Sequence, residues 1–169
     1  MPKNHPVHVF EVITRDLDGL TDPRGQSTNV MLASDTGIKA REIRVILGYQ
    51  VKAPLTDDEC EKALYDLFAD PIIETATHGS PLLSSFHSPP DLAIQVGFKP
   101  GVTDNSAQAA LDGLTTIFNH HSNAVVATTK TYAIWGTEDE DAESIANAIH
   151  NPMIERCSIS LSDQCKRGH

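Results

Sequence analysis

Residues 92–118 read LAIQVGFKPGVTDNSAQAALDGLTTIF, and this stretch decides the fold. Leu92, Ile94, Val96 and Phe98 alternate with Ala93, Gln95 and Gly97, the period of a half-buried strand. Lys99-Pro100-Gly101 stops that strand, and Asp104 is placed to cap a helix. Ala107, Ala110, Leu111, Leu114, Ile117 and Phe118 then fall on one helical face. Residues 124–135, rich in Val, Thr, Tyr and Trp, read as one long strand. Thr137 and the acidic run Glu138–Asp141 suit the start of a second helix, whose buried face is Ile145, Ala148 and Ile149. Asn151-Pro152 ends it, and residues 153–161 supply a last strand.

The same order appears upstream. Strand Val7–Ile13 precedes an Asp22 cap with Pro23 at the first helical position. A strand follows over residues 42–52, with Ile43, Val45, Leu47, Tyr49 and Val51 alternating. Thr56 and Glu59 form a capping box for a helix whose apolar face is Ala63, Leu64, Leu67 and Phe68. Asp70-Pro71 stops it, and a strand closes at residues 72–77. Landmarks recur in order: Thr21-Asp22 as Thr103-Asp104, Asp70-Pro71-Ile72-Ile73-Glu74 as Asn151-Pro152-Met153-Ile154-Glu155, Val12 as Val96, Ile43 as Val126. The offsets are 82, 81, 84 and 83, so the chain reads as two tandem β-α-β-α-β units. The expected division is unit one at 1–79, a Gly/Ser/Pro linker at 80–90, unit two at 91–162 and a tail at 163–169. The linker's apolar residues predict that it is partly packed down. The expected core includes Val9, Ile43, Val45, Leu64, Phe68, Ile94, Val96, Leu111, Leu114, Ile145 and Ile149.

Composition narrows the function. The net charge is -10, shared equally between residues 1–83 and 84–169, which argues against nucleic acid or an anionic membrane as partner. No run approaches the ~18 apolar residues of a membrane span. The start MPKNHPVHVF has no basic region followed by a long apolar stretch, so no secretory signal is expected. Three cysteines (Cys60, Cys157 and Cys165) cannot all pair and none has CxxC spacing, which fits a cytoplasmic setting. There is no phosphate-cradling glycine loop, no HExxH and no GxSxG. The eight histidines are scattered, and the His120-His121 pair reads as a helix-end charge. Cys157, Cys165 and His169 make a weak ligand set at the chain end, so no metal and no catalytic residue is expected.

The segment Val96–Asn105 resembles the first strand and turn of the PurS family, and His150–Glu155 resembles its Asn-Pro-x-Ile-Glu element. The second unit keeps the family's Lys99, Gly101, Val102 and Asp104 but has Asn105 and Ala107 in place of Pro and Gly; the first keeps Asp22, Pro23 and Gly25. On the long strand the family's Arg and Lys are split, Arg44 with Leu47 in one unit, Ala127 with Lys130 in the other. The tandem arrangement is similar to the PurS-duplicated N-terminal region of a fused phosphoribosylformylglycinamidine synthase. The resemblance implies an α+β fold of two ferredoxin-related units with antiparallel sheets, joined as an intramolecular pseudo-dimer. It implies a non-catalytic coupling element in purine biosynthesis, part of an ATP-dependent, glutamine-hydrolysing ligase. Its partners would be a PurL-type synthetase module, which uses ATP and Mg2+, and a PurQ-type glutaminase module. No cofactor would be bound by this chain. Lys99, Lys130, Arg44 and Arg24 are the candidate partner-facing residues. A free-standing ferredoxin-like regulatory or ligand-sensing module is the alternative reading.

Overall fold

A computed structural model describes residues 5–16, 21–119 and 123–162. The first half runs β1 (Val7–Thr14), α1 (Pro23–Thr36), β2 (Glu42–Lys52), α2 (Asp57–Ala63) and β3 (Glu74–His78). The second runs β4 (Leu92–Phe98), α3 (Asn105–Phe118), β5 (Val125–Trp135), α4 (Ala142–Ile149) and β6 (Glu155–Leu161). All six strands form one antiparallel sheet in the order β3-β1-β2-β5-β4-β6.

The two long strands meet at the centre of this sheet. β2 pairs with β5 along its whole length, from Glu42↔Trp135 to Lys52↔Val125, with Leu47 opposite Lys130 at the midpoint. Each half alone would expose a long strand edge, and here each covers the other's. The β2 alternation sets the faces. Ile43, Val45, Leu47, Tyr49 and Val51 look toward the helices, and Ile46 looks the other way.

All four helices lie on one side, in two pairs that each draw on both halves. α1 packs beside α4, with Leu32, Ile43, Val45, Ile94, Ile134 and Ile145 among the residues buried there. α2, continued by the π-turn Leu64–Phe68, packs beside α3 over Phe10, Val12, Val51, Leu114 and Phe118. Two glycines permit these approaches. A Cβ on Gly25 would fall 1.7 Å from the Ile43 carbonyl oxygen, and one on Gly113 would fall 2.3 Å from a Leu67 methyl.

The opposite face is partly roofed by the linker. Leu82, in a short 3-10 turn, is buried against Ile13 and Ile46, with Leu83 and Phe86 beside it. Phe86 stands edge-on to Trp135 at 4.9 Å between centroids, and Trp135 Nε1 donates to the Ser88 carbonyl at 3.1 Å. The expectation that the linker packs down therefore holds.

Some local readings need correction. Val9 is on the linker-side face and 37% exposed, so it is not core. Thr137 does not cap a helix: a 3-10 turn at Asp139–Asp141 comes first, its own backbone bonds take up the early N–H groups, and the Thr137 hydroxyl is buried unpaired. β6 starts at Glu155 and β3 at Glu74 because the preceding Asn-Pro and Asp-Pro segments form hydrogen-bonded turns. His120, His121, Cys165 and His169, with the tail at 163–169, lie outside the described residues.

Candidate functional site

The motif residues that recur in the sequence do the same structural work in each half. Asp22 Oδ1 accepts from the Arg24 N–H at 3.0 Å, capping α1, while Oδ2 accepts from the Val45 N–H of β2 at 2.7 Å. Asp104 caps α3 through the Ala107 N–H at 2.8 Å and accepts from the Thr128 N–H of β5 at 2.9 Å and the Thr128 hydroxyl at 2.8 Å. One carboxylate thus ties a helix start to the long strand, satisfying donors on both. The turns agree as well. Asp70 Oδ1 accepts from the Ile72 N–H and Glu74 Oε2 from the Asp70 N–H, both at 2.9 Å. Asn151 Oδ1 accepts from the Met153 N–H at 3.0 Å and Glu155 Oε2 from the Asn151 N–H at 2.6 Å. These residues recur because the chain must turn at the same place in each half.

The four predicted partner-facing cations occupy separate environments. Arg24, at the start of α1, pairs with Glu74 at 3.3 Å. Arg44 points to the linker side: it donates to the Thr14 carbonyl, pairs with Asp16 at 3.5 Å and stacks over the Phe86 ring at 5.5 Å. Lys99 reaches the Pro152 carbonyl and stands, with Arg156, at the rim of a cleft of about 650 Å³ at the ends of β4, β5 and β6. Lys130 is exposed on the helix side at the centre of the sheet, opposite Leu47 and next to Val96. Of the four, Lys130 alone makes no side-chain hydrogen bond or ion pair among the described residues.

Sequence reasoning missed a third grouping. His8 Nδ1 lies 3.2 Å from His78 Nε2 and 3.4 Å from Cys60 Sγ. β1 presents His8 on the same face as Phe10 and Val12, α2 turns Cys60 inward with Ala63 and Leu64, and β3 pairs His78 opposite Phe10. Burial and the neighbouring His78 push the His8 pKa down, opposed by the Ala53 backbone and the Asp57 carboxylate. Burial, then Asp57 and Glu59, push the Cys60 pKa up. Cys60 is 1% exposed, so the cluster holds a shielded thiol rather than an activated nucleophile. The separations of 52 and 70 residues hid it: the β1–β3 register brings His78 to His8, and the packing of α2 on β1 brings Cys60.

No protein-family model matches the chain, and no curated protein matches it. Among the described residues, no helix is long and apolar enough to cross a membrane.

Proposed function

We propose that the chain is a tandem PurS-like, non-catalytic coupling element of a phosphoribosylformylglycinamidine synthase. It would hold a PurL-type synthetase module and a PurQ-type glutaminase module in register, so that ammonia released by one reaches the other. The observation that carries this reading is the full-length β2–β5 pairing about Leu47 and Lys130, which gives two β-α-β-α-β halves the arrangement of a dimer within one chain. The matched Asp22 and Asp104 contacts with helix and long strand support the same reading. A bridge of this kind acts by positioning. Ammonia that meets water near neutral pH is protonated and loses its nucleophilicity, so such a bridge must also keep the path dry.

Lys130 is the residue best placed to meet a partner, since it is exposed at the centre of the helix-bearing face and makes no side-chain hydrogen bond or ion pair among the described residues. With the synthetase and glutaminase modules present, Lys130→Glu is expected to lower glutamine-dependent synthesis more than ammonia-dependent synthesis. Equal loss of both would assign the chain to support of the synthetase site. If neither activity changes, Lys130 is not on the working surface. Failure of the wild-type chain to associate with either module would overturn the reading.

A further inference from the structure

We propose that His8, Cys60 and His78 form a zinc site that staples the edge strand β3 and helix α2 to β1. The inference does not depend on the role proposed above. The three ligand atoms lie within 4.8 Å of one another. Tetrahedral zinc, with Zn–N of ~2.0–2.1 Å and Zn–S of ~2.3 Å, sets its nitrogens roughly 3.3 Å apart and a nitrogen and sulfur roughly 3.5 Å apart. The two distances from His8 Nδ1, 3.2 Å and 3.4 Å, fall close to these values, and the third edge, between Cys60 and His78, lies within 4.8 Å.

Hydrogen bonding accounts for the cluster less well. His8 Nδ1 carries either one proton or one lone pair, yet it faces two partners. A metal ion between them serves all three atoms at once. Ligation through Nδ1 leaves the ring proton on Nε2, which is shut off from solvent without a formed hydrogen bond. The Ala53 backbone also acts on this ring, and backbone carbonyls commonly play the outer-shell part for zinc histidines. The mix of thiolate and imidazole selects zinc over magnesium or calcium.

The counterpart strands make the contrast clear. By register, Leu92 on β4 and Ile159 on β6 occupy the places of His8 and His78, and both pack in an apolar core. Zinc with a thiolate has a residual positive charge, which the Asp57 carboxylate, already felt by both His8 and Cys60, complements. On binding, Cys60 releases its proton to solvent, and a water completes the fourth position on the exposed His78 side.

The test uses the full chain stripped with a chelator and titrated with Co2+, then with Zn2+ in competition. The expected result is a thiolate-to-cobalt charge-transfer band saturating at one equivalent, lost in Cys60→Ser. His78→Ala, a change at an exposed position, should keep the fold and weaken Zn2+ binding by at least ~100-fold, more than loss of an outer-shell partner would. Zn2+ should raise the melting temperature of the wild type and not of His78→Ala. If Cys60→Ser does not fold, the His78→Ala comparison decides alone. Absence of the band, or a band and affinity that survive either substitution, would overturn the site.

Discussion

Tyr132 sits on β5 between Val45 and Ile94, and its ring is buried with the residues under α1 and α4. Burial first, and then the Glu155 carboxylate, push its pKa above the ordinary tyrosine value of 10.0. The folded chain therefore keeps the phenol proton at a pH where the unfolded chain gives it up. Stability is complete below 10.0 and falls as pH rises from there toward the folded-state value. Tyr49, also raised by burial, adds a decline of the same sign. Tyr132→Phe should therefore lose less stability than the wild type between urea melts run on either side of 10.0. Identical declines in the two proteins would mean that Tyr132 ionises in the folded state as freely as in the unfolded one.

At the scale of elements, the aspartate contacts join helix starts to strands, so they offer a measurable weak point. Asp104→Ala removes the cap of α3 and leaves the Thr128 N–H of β5 without its acceptor. The cap contributes ~1 kcal/mol and the unpaired donor about 1–3 kcal/mol, so a loss of roughly 2–4 kcal/mol is expected in denaturant unfolding. A loss below ~1 kcal/mol would mean that water replaces the carboxylate at both donors. The α3 reading succeeded because its cap, apolar face and preceding Lys-Pro-Gly stop all agree, and β2 was legible from unbroken alternation. The β1 strand was legible too, but its core face was not, because VHVFEVIT has apolar residues in both phases. Phe10 and Val12 face the helices, Ile13 meets the linker, and Val9 is left on the same side as Ile13 but exposed. Which phase is core depends on what covers each face, and that is tertiary information. Thr137 failed for a related reason: a capping residue was present, but an extra 3-10 turn moved the helix start downstream. The His8–Cys60–His78 cluster was illegible because each member reads alone as an ordinary strand or helix residue. The pairing of β3 with β1 and the packing of α2 against that sheet, not any local spacing, supply their proximity.

At the scale of the whole molecule, the two halves repeat an element order and share both cores. The core under α1 and α4 combines Leu32, Ile43 and Val45 from the first half with Ile94, Ile134 and Ile145 from the second. The other core combines Phe10, Val12, Val51 and Phe68 with Leu114 and Phe118. Cutting the chain in the linker and separating the pieces would strip each core of a helix and expose eleven-residue edges on β2 and β5. Burial of a single large apolar side chain stabilises by about 1.5–3 kcal/mol, and a domain's net stability is only ~5–15 kcal/mol, so loss of such a face is large against the stability a half could have alone. A fragment of residues 91–162 is therefore expected to be unfolded at low concentration, or to pair with a second copy through β5. Mixed with residues 1–79, it should regain the cooperative unfolding of the intact chain, at a concentration-dependent midpoint that the covalent linker abolishes. Circular dichroism and sedimentation of the fragments, apart and mixed, measure this. A fragment that sediments as a monomer and still unfolds cooperatively would show that its own helices suffice to cover its sheet, and that the shared cores add stability without being required for the fold.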